Sequence, residues 1–223
     1  MPNRFCTVPA RPKKGLLDNA WAILSRACDS AESFFEAFAT VREARNAKGT
    51  PTDHEQDLLR AALIFATAGL DSMMKQLVRD ALGRVISRER GAQAQFGDYV
   101  QSRLARGGSI DVKYLAQALL ADDTREHLKD ELVRELTGSS LQSKDQLLRV
   151  AAYFAIPADE LASDISQLKD VFDARNQIAH EMDVQFKQAN RSRRSRTYDA
   201  MEAATRVVLT VSTAFYSAVE KRI

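Results

Sequence analysis

The sequence predicts an all-α protein, folded as an up-and-down helical bundle. Three observations lead there. Apolar residues recur at spacings of three and four almost throughout the chain. Strict apolar–polar alternation, the mark of half-buried strands, is nearly absent. Helix-start signals interrupt the periodic segments at Thr50-Pro51, at Ser143 with Gln146 three residues on, and at Thr197. The chain has 223 residues, enough for a substantial core without covalent staples.

Residues 1–15 carry three prolines and a glycine and read as a flexible tail. A long first helix is expected over 16–46, with Trp21, Leu24, Cys28, Phe34, Phe35, Phe38 and Val41 along it. The break "AKGTPTD" follows. There Thr50 is the expected cap, Pro51 the first helical residue, and Asp53 and Glu55 the acidic first turn. The second helix is expected over 51–89, its core stripe made by Leu59, Leu63, Thr67, Leu70, Met74, Leu77 and Ala81. Residues 90–111 are glycine-richer and read as irregular, with one short helix near 99–105. One helix is expected over 112–137, ending at Gly138. Ser143 opens the next, and Pro157 breaks the pattern. A helix from about Ala158 then shows Leu161, Ile165, Leu168, Phe172 and Ala179 on its buried face. The polar segment "EMDVQFKQANRSRRSR" reads as a loop, and Thr197 caps a final helix with Met201, Val208, Val211, Phe215 and Val219 inward. Residues 16–222 thus form one domain, with a variable and mostly helical insertion at about 86–140 and an extra long helix at its N-terminal end.

Hydrophobic residues make up 45% of the chain and charged residues 28%, and the net charge is +2. That balance excludes a globally basic nucleic-acid binder, so any basic footprint is local. The two cysteines, Cys6 and Cys28, form no CxxC pair, and His54, His127 and His180 show no metal-ligand spacing. Free, inert thiols, a reducing compartment, no metal and no cofactor are the expectation. The N-terminus lacks the apolar stretch of a signal peptide, and no run of about eighteen apolar residues exists for a membrane span. A cytoplasmic protein with no membrane association is expected.

One stretch departs from the ordinary pattern: "DVFDARNQIAHEMD", residues 170–183. Arg175 falls inside the apolar stripe of its helix, where an unpaired cation is costly. Asn176 and His180, four apart, share a face. Arg175 and His180 diverge by about 140° on a regular helix. Either the helix unwinds near His180 or a second copy of the helix faces the first across a dimer. The residue types suit phosphodiester chemistry. Histidine moves protons near neutrality, and arginine holds a phosphate and stabilises the charge that develops on it. Asparagine orients the imidazole or binds a substrate oxygen. Nearby, Arg191, Arg193, Arg194 and Arg196 place four cations within six residues, a candidate RNA-backbone track.

The R-N-x-x-x-H pattern near the end of a late helix, followed by a loop and a last helix, resembles the HEPN superfamily. The segment "ATAGLDSMMKQLV" is similar to that family's earlier bundle helix, and the resemblance covers roughly residues 51–85 and 143–222. It implies a homodimer with a composite, metal-independent endoribonuclease site that attacks RNA through its own 2′-OH. It also implies a role as a toxin or antiphage effector, with RNA as substrate and an antitoxin or regulatory protein as a possible partner. By the same carry-over His180 is the general acid/base, Arg175 the phosphate and transition-state ligand, and Asn176 the orienting group. Asp71 is the candidate partner holding Arg175. The rival expectation is a non-catalytic helical adaptor that binds nucleotide or a partner protein. A third is a structural polar cluster in which Arg175 pairs with a buried acid.

Overall fold

The structure, a computed structural model, describes residues 7–12, 15–105 and 112–223. Among these, nine α-helices and one 3-10 turn (Gly15–Leu17) carry nearly all the regular structure. Among the described residues no strand is present, and Val184 and Arg193 form an isolated antiparallel bridge. The protein is all-α, as the periodicity predicts.

Helix α1 spans Asp18–Ala44 and α2 spans Asp53–Arg88. The two form an antiparallel pair with extensive contact. Leu24, Cys28, Phe35 and Phe38 are buried from α1, and every residue of the predicted α2 stripe is buried. So are Ala62, Ala66, Met73, Val78, Leu82, Val85 and Ile86, on the other sides of α2. Helix α2 is therefore the axis of the molecule, in contact with α1, α3, α5, α6, α8 and α9. Gly69 is needed for the α1–α2 approach, because a Cβ there would lie 2.3 Å from the Cβ of Ala27.

The cap of α2 lies two residues later than expected. Thr52 is the N-cap, and its hydroxyl accepts from the Glu55 amide while Glu55 accepts from the Thr52 amide. The buried Glu55 carboxylate also takes Arg42 at 3.2 Å and Arg45 at 2.9 Å, which ties the end of α1 to the start of α2.

The middle is more helical than expected. A single extended residue, Glu89, separates α2 from α3, which runs over Arg90–Leu104 rather than being mostly irregular. The single helix expected over 112–137 is two, α4 (Val112–Leu119) and α5 (Thr124–Thr137), with Asp123 capping the second. Helix α6 (Lys144–Tyr153) starts at Ser143 as predicted, the hydroxyl accepting from the Gln146 amide. The expected helix from Ala158 is interrupted. A one-turn α7 (Ala158–Leu161) precedes α8 (Gln167–Glu181), and α9 (Tyr198–Glu220) is capped by Thr197 as predicted. Leu161 therefore belongs to a separate helix from Arg175, and Ala179 is exposed rather than buried.

Side chains from all nine helices join one hydrophobic core. Residues 7–12 are tied to α1: Trp21 donates its indole N–H to the Pro9 carbonyl at 2.8 Å, and Arg11 bonds Asp18. This part of the expected tail is anchored. Cys6 lies outside the described residues. Cys28 is disulfide-bonded, against the expectation of a free thiol. No helix among the described residues is long and apolar enough to cross a membrane.

Candidate functional site

Helix α8 presents Leu168, Val171, Phe172 and Ile178 to the core. Arg175 is three or four residues from Val171, Phe172 and Ile178, so its Cα sits within the buried stripe, as the sequence indicates. Its Nε is buried and has no hydrogen-bond partner. The guanidinium does not stay in the core. It extends along the last turn of α8, and its Nη1 donates to Asn176 Oδ1 at 2.9 Å and meets His180 Nε2 at 3.0 Å. Arg175 and His180 thus share one site within a single chain, and α8 remains helical through Glu181. Neither an unwound helix nor a second copy is needed to bring them together; the length of the arginine side chain spans the divergence.

Arginine has only donors, so in this contact the imidazole Nε2 takes the acceptor role, which assigns the ring proton to Nδ1. Asn176 touches the guanidinium rather than the imidazole, so the residue it orients is Arg175. No carboxylate lies within ion-pair distance of Arg175 among the described residues, so the purely structural expectation of a buried acid partner is not met. Asp71 does not hold Arg175. It pairs with Lys75 at 2.9 Å and accepts the Leu141 amide at 2.6 Å, pinning the segment before α6. Asn176 also lines a cleft of about 300 Å³ between α6 and α8, together with Lys144, Asp145, Lys169 and Asp173.

Two residues beyond α8 the chain turns sharply. Met182 and Asp183 both have positive φ, 50° and 61°, and the Asp183 amide closes the helix on the Gln177 carbonyl at 2.8 Å. Consecutive left-handed non-glycine residues are costly and persist only where the surroundings over-determine them. Here the determinant is the Asp183 side chain, which is fully buried. Arg196 grips it through Nη2 at 2.6 Å and Nε at 2.9 Å, and Arg60 of α2 bonds it at 2.9 Å. Burial alone would raise the Asp183 pKa; the hydrogen bonds from Arg196 and Arg60, and then their charges, bring it below the usual carboxylate range.

The network continues outward. Arg60 also bonds Asp57 at 3.0 Å and lies 3.8 Å from Asp53. Arg193 meets Asp57 at 2.7 Å, and Arg194 meets Glu181 at 3.1 Å. Arg60, Arg193, Arg194 and Arg196 are thus balanced by Asp53, Asp57, Glu181 and Asp183. Three of the four guanidinium groups of the arginine run thus hold the loop to α2 and α8, and Arg191 alone of the four is exposed with no carboxylate in ion-pair reach among the described residues. Arg60 was the legible clue: a cation inside "DLLRAALIF" demands a buried acid.

The chain matches no family model, no curated protein and no solved structure in comparisons with each.

Proposed function

We infer that the Arg175–Asn176–His180 cluster is a metal-independent endoribonuclease site, of the kind the HEPN resemblance implies, and that it works in a homodimer. The observation that carries this reading is the 3.0 Å contact between Arg175 and His180, made by an arginine that has no carboxylate partner among the described residues. A charge left without a counter-ion beside a titratable ring at a helix end is suited to an anionic ligand.

The chemistry follows from the donors. A phosphodiester competes better than a neutral imidazole for the guanidinium, because ionised acceptors make stronger hydrogen bonds. Its arrival draws Arg175 onto a non-bridging oxygen and releases Nε2 of His180. That nitrogen then takes the proton of the ribose 2′-OH, the 2′-oxygen attacks phosphorus, and the P–O5′ bond breaks as the 5′-oxygen takes that proton back from the His180 imidazolium. The products are a 2′,3′-cyclic phosphate and a 5′-hydroxyl. Arg175 stabilises the charge on the phosphorane, and Asn176 steers the guanidinium. RNA binding draws on Arg191, with Arg193, Arg194 and Arg196 acting through the shape of the loop. A toxin or defence role, restrained by an antitoxin or regulatory partner in the cytoplasm, belongs to this reading.

The rival reading is a non-catalytic helical adaptor. One observation favours it: in the free chain Arg175 occupies the lone pair that a general base needs. RNA cleavage by wild type that both Arg175→Ala and His180→Ala lose rejects the adaptor, and mixing the two variants then tests the composite site. Partial recovery of RNA cleavage supports a composite dimeric site, and no recovery from any mixture, alongside an active wild type, limits the site to one chain.

A further inference from the structure

The loop after α8 is an ordered hairpin. The Arg194 amide donates to Asp183 O at 2.8 Å, Val184 bridges Arg193, and the Gln185 amide donates to Ser192 O at 2.9 Å. Its tip is closed by Gln188 N on Gln185 O and Arg191 N on Gln188 O, both at 3.0 Å. Side chains reinforce it, with Gln188 donating to Gln185 and Ser192 donating to Gln188, both at 2.7 Å. The hairpin's base is the buried Asp183, clamped by Arg60 and Arg196.

This anchored hairpin holds Phe186 65% exposed and Met182 67% exposed. Phe186 lines a recess of about 350 Å³ with Glu181, Gln185, Lys187, Gln188 and Arg194. The recess therefore begins one residue from His180. The charge of Glu181 is taken up by Arg194, while Lys187 and Arg191 are exposed with no carboxylate in ion-pair reach among the described residues. The recess thus offers an aromatic face, two side-chain amides and a surplus of positive charge.

We propose that this recess binds one unstacked nucleobase of single-stranded RNA beside the scissile phosphate, stacked on Phe186, with Lys187 and Arg191 facing the flanking phosphates. This inference rests on the ribonuclease reading. Its physical basis is that an aromatic platform bordered by cations accepts any base through its π-face, and that unpaired bases are the ones available to stack. Preorganisation by the hairpin lowers the ordering cost of binding.

The test uses the full-length protein and a fluorescent 2′-O-methyl oligoribonucleotide of about ten nucleotides, which lacks the nucleophile and stays uncut. Fluorescence anisotropy is read for the single strand and for the same strand in a duplex. The expected result is preference for the single strand, about ten-fold weaker single-strand binding by Phe186→Ala, and recovery by Phe186→Trp but not by Phe186→Leu. Wild-type affinity in Phe186→Ala, or equal recovery by leucine, overturns the stacking role while leaving the ribonuclease reading in place. A change in oligomeric mass of Phe186→Ala without a change in affinity also overturns it, and assigns the ring to contact between copies of this chain. A wild type that binds neither form of the probe and cuts no RNA overturns the ribonuclease reading, and the platform with it.

Discussion

The last turn of α8 and the loop that follows it contain the same residue types in opposite situations. Around Asp183, arginines and carboxylates are matched one for one and the central pair is buried, with side-chain exposures of 3% for Arg60 and 0% for Asp183. Three residues earlier, at His180, the arginine has only neutral acceptors, and one of its nitrogens is buried without a partner. The first arrangement is complete in itself, and charge there serves folding. The second is incomplete, and charge there is left without a counter-ion among the described residues. An arginine's partners, more than its place in the sequence, decide which of these it does.

The sharpest way to break this comparison is to remove the acid at the centre of the matched set. Asp183→Asn leaves Arg60 and Arg196 facing a neutral group in a buried position, and a loss of about 3–5 kcal/mol of stability is expected in denaturant unfolding. The same site sets an acid limit. Because the folded-state pKa of Asp183 is depressed, its contribution is fully present above the ordinary unfolded value of about 3.9 and is lost as pH falls through the lower folded value. Asp57, held low by Arg193 and Arg60 against its own burial, acts in the same direction. Wild type should therefore lose stability steeply on acidification below about pH 4, and Asp183→Asn should lose less over that range. An identical slope in both would remove Asp183 from the account.

A paired substitution sharpens the contrast. Arg60→Met removes one of the two arginines that clamp the buried Asp183 and should cost about 3 kcal/mol. Arg175→Met removes a guanidinium that pairs with no acid, and its buried unpartnered Nε with it, so a change under about 1 kcal/mol is expected, together with loss of RNA cleavage. Equal destabilisation by the two, measured by urea unfolding, would mean that Arg175 is also structural.

A smaller effect concerns the loop's exit. Thr197 follows Arg196 directly and accepts the Ala200 amide at 3.3 Å. Thr197→Ala should cost about 1 kcal/mol, and hydrogen exchange should show that cost in the first turn of α9 without disturbing Arg175. A cost spread over the whole molecule would show the loop and α9 to be one cooperative unit.

These contrasts also mark what the sequence reveals. The α2 stripe from Leu59 to Ala81, the Ser143 and Thr197 caps, and the inward face of α9 are local patterns, and all appear as read. The oddity of Arg175 was equally legible, because a cation in an apolar stripe is visible on a helical wheel. Its reach to His180 was not, since a wheel gives the direction of Cα–Cβ and says nothing of where a long flexible side chain ends. The inward turn of Asp183 depends on two left-handed residues and on Arg60, 123 positions away, and no local pattern encodes such a contact. The breaks after Leu119 and Leu161 are not legible, because the apolar periodicity runs through them while the backbone stops.

The most direct test of the central claim is incubation of the purified protein with total RNA in EDTA, wild type beside His180→Ala, with product ends mapped. The account predicts cleavage by wild type, leaving 2′,3′-cyclic phosphate and 5′-hydroxyl ends, and a loss of about 100-fold or more in the variant, whose unfolding transition stays unchanged. Equal cleavage by a folded His180→Ala protein, or wild-type products carrying 3′-hydroxyl and 5′-phosphate ends, would contradict it.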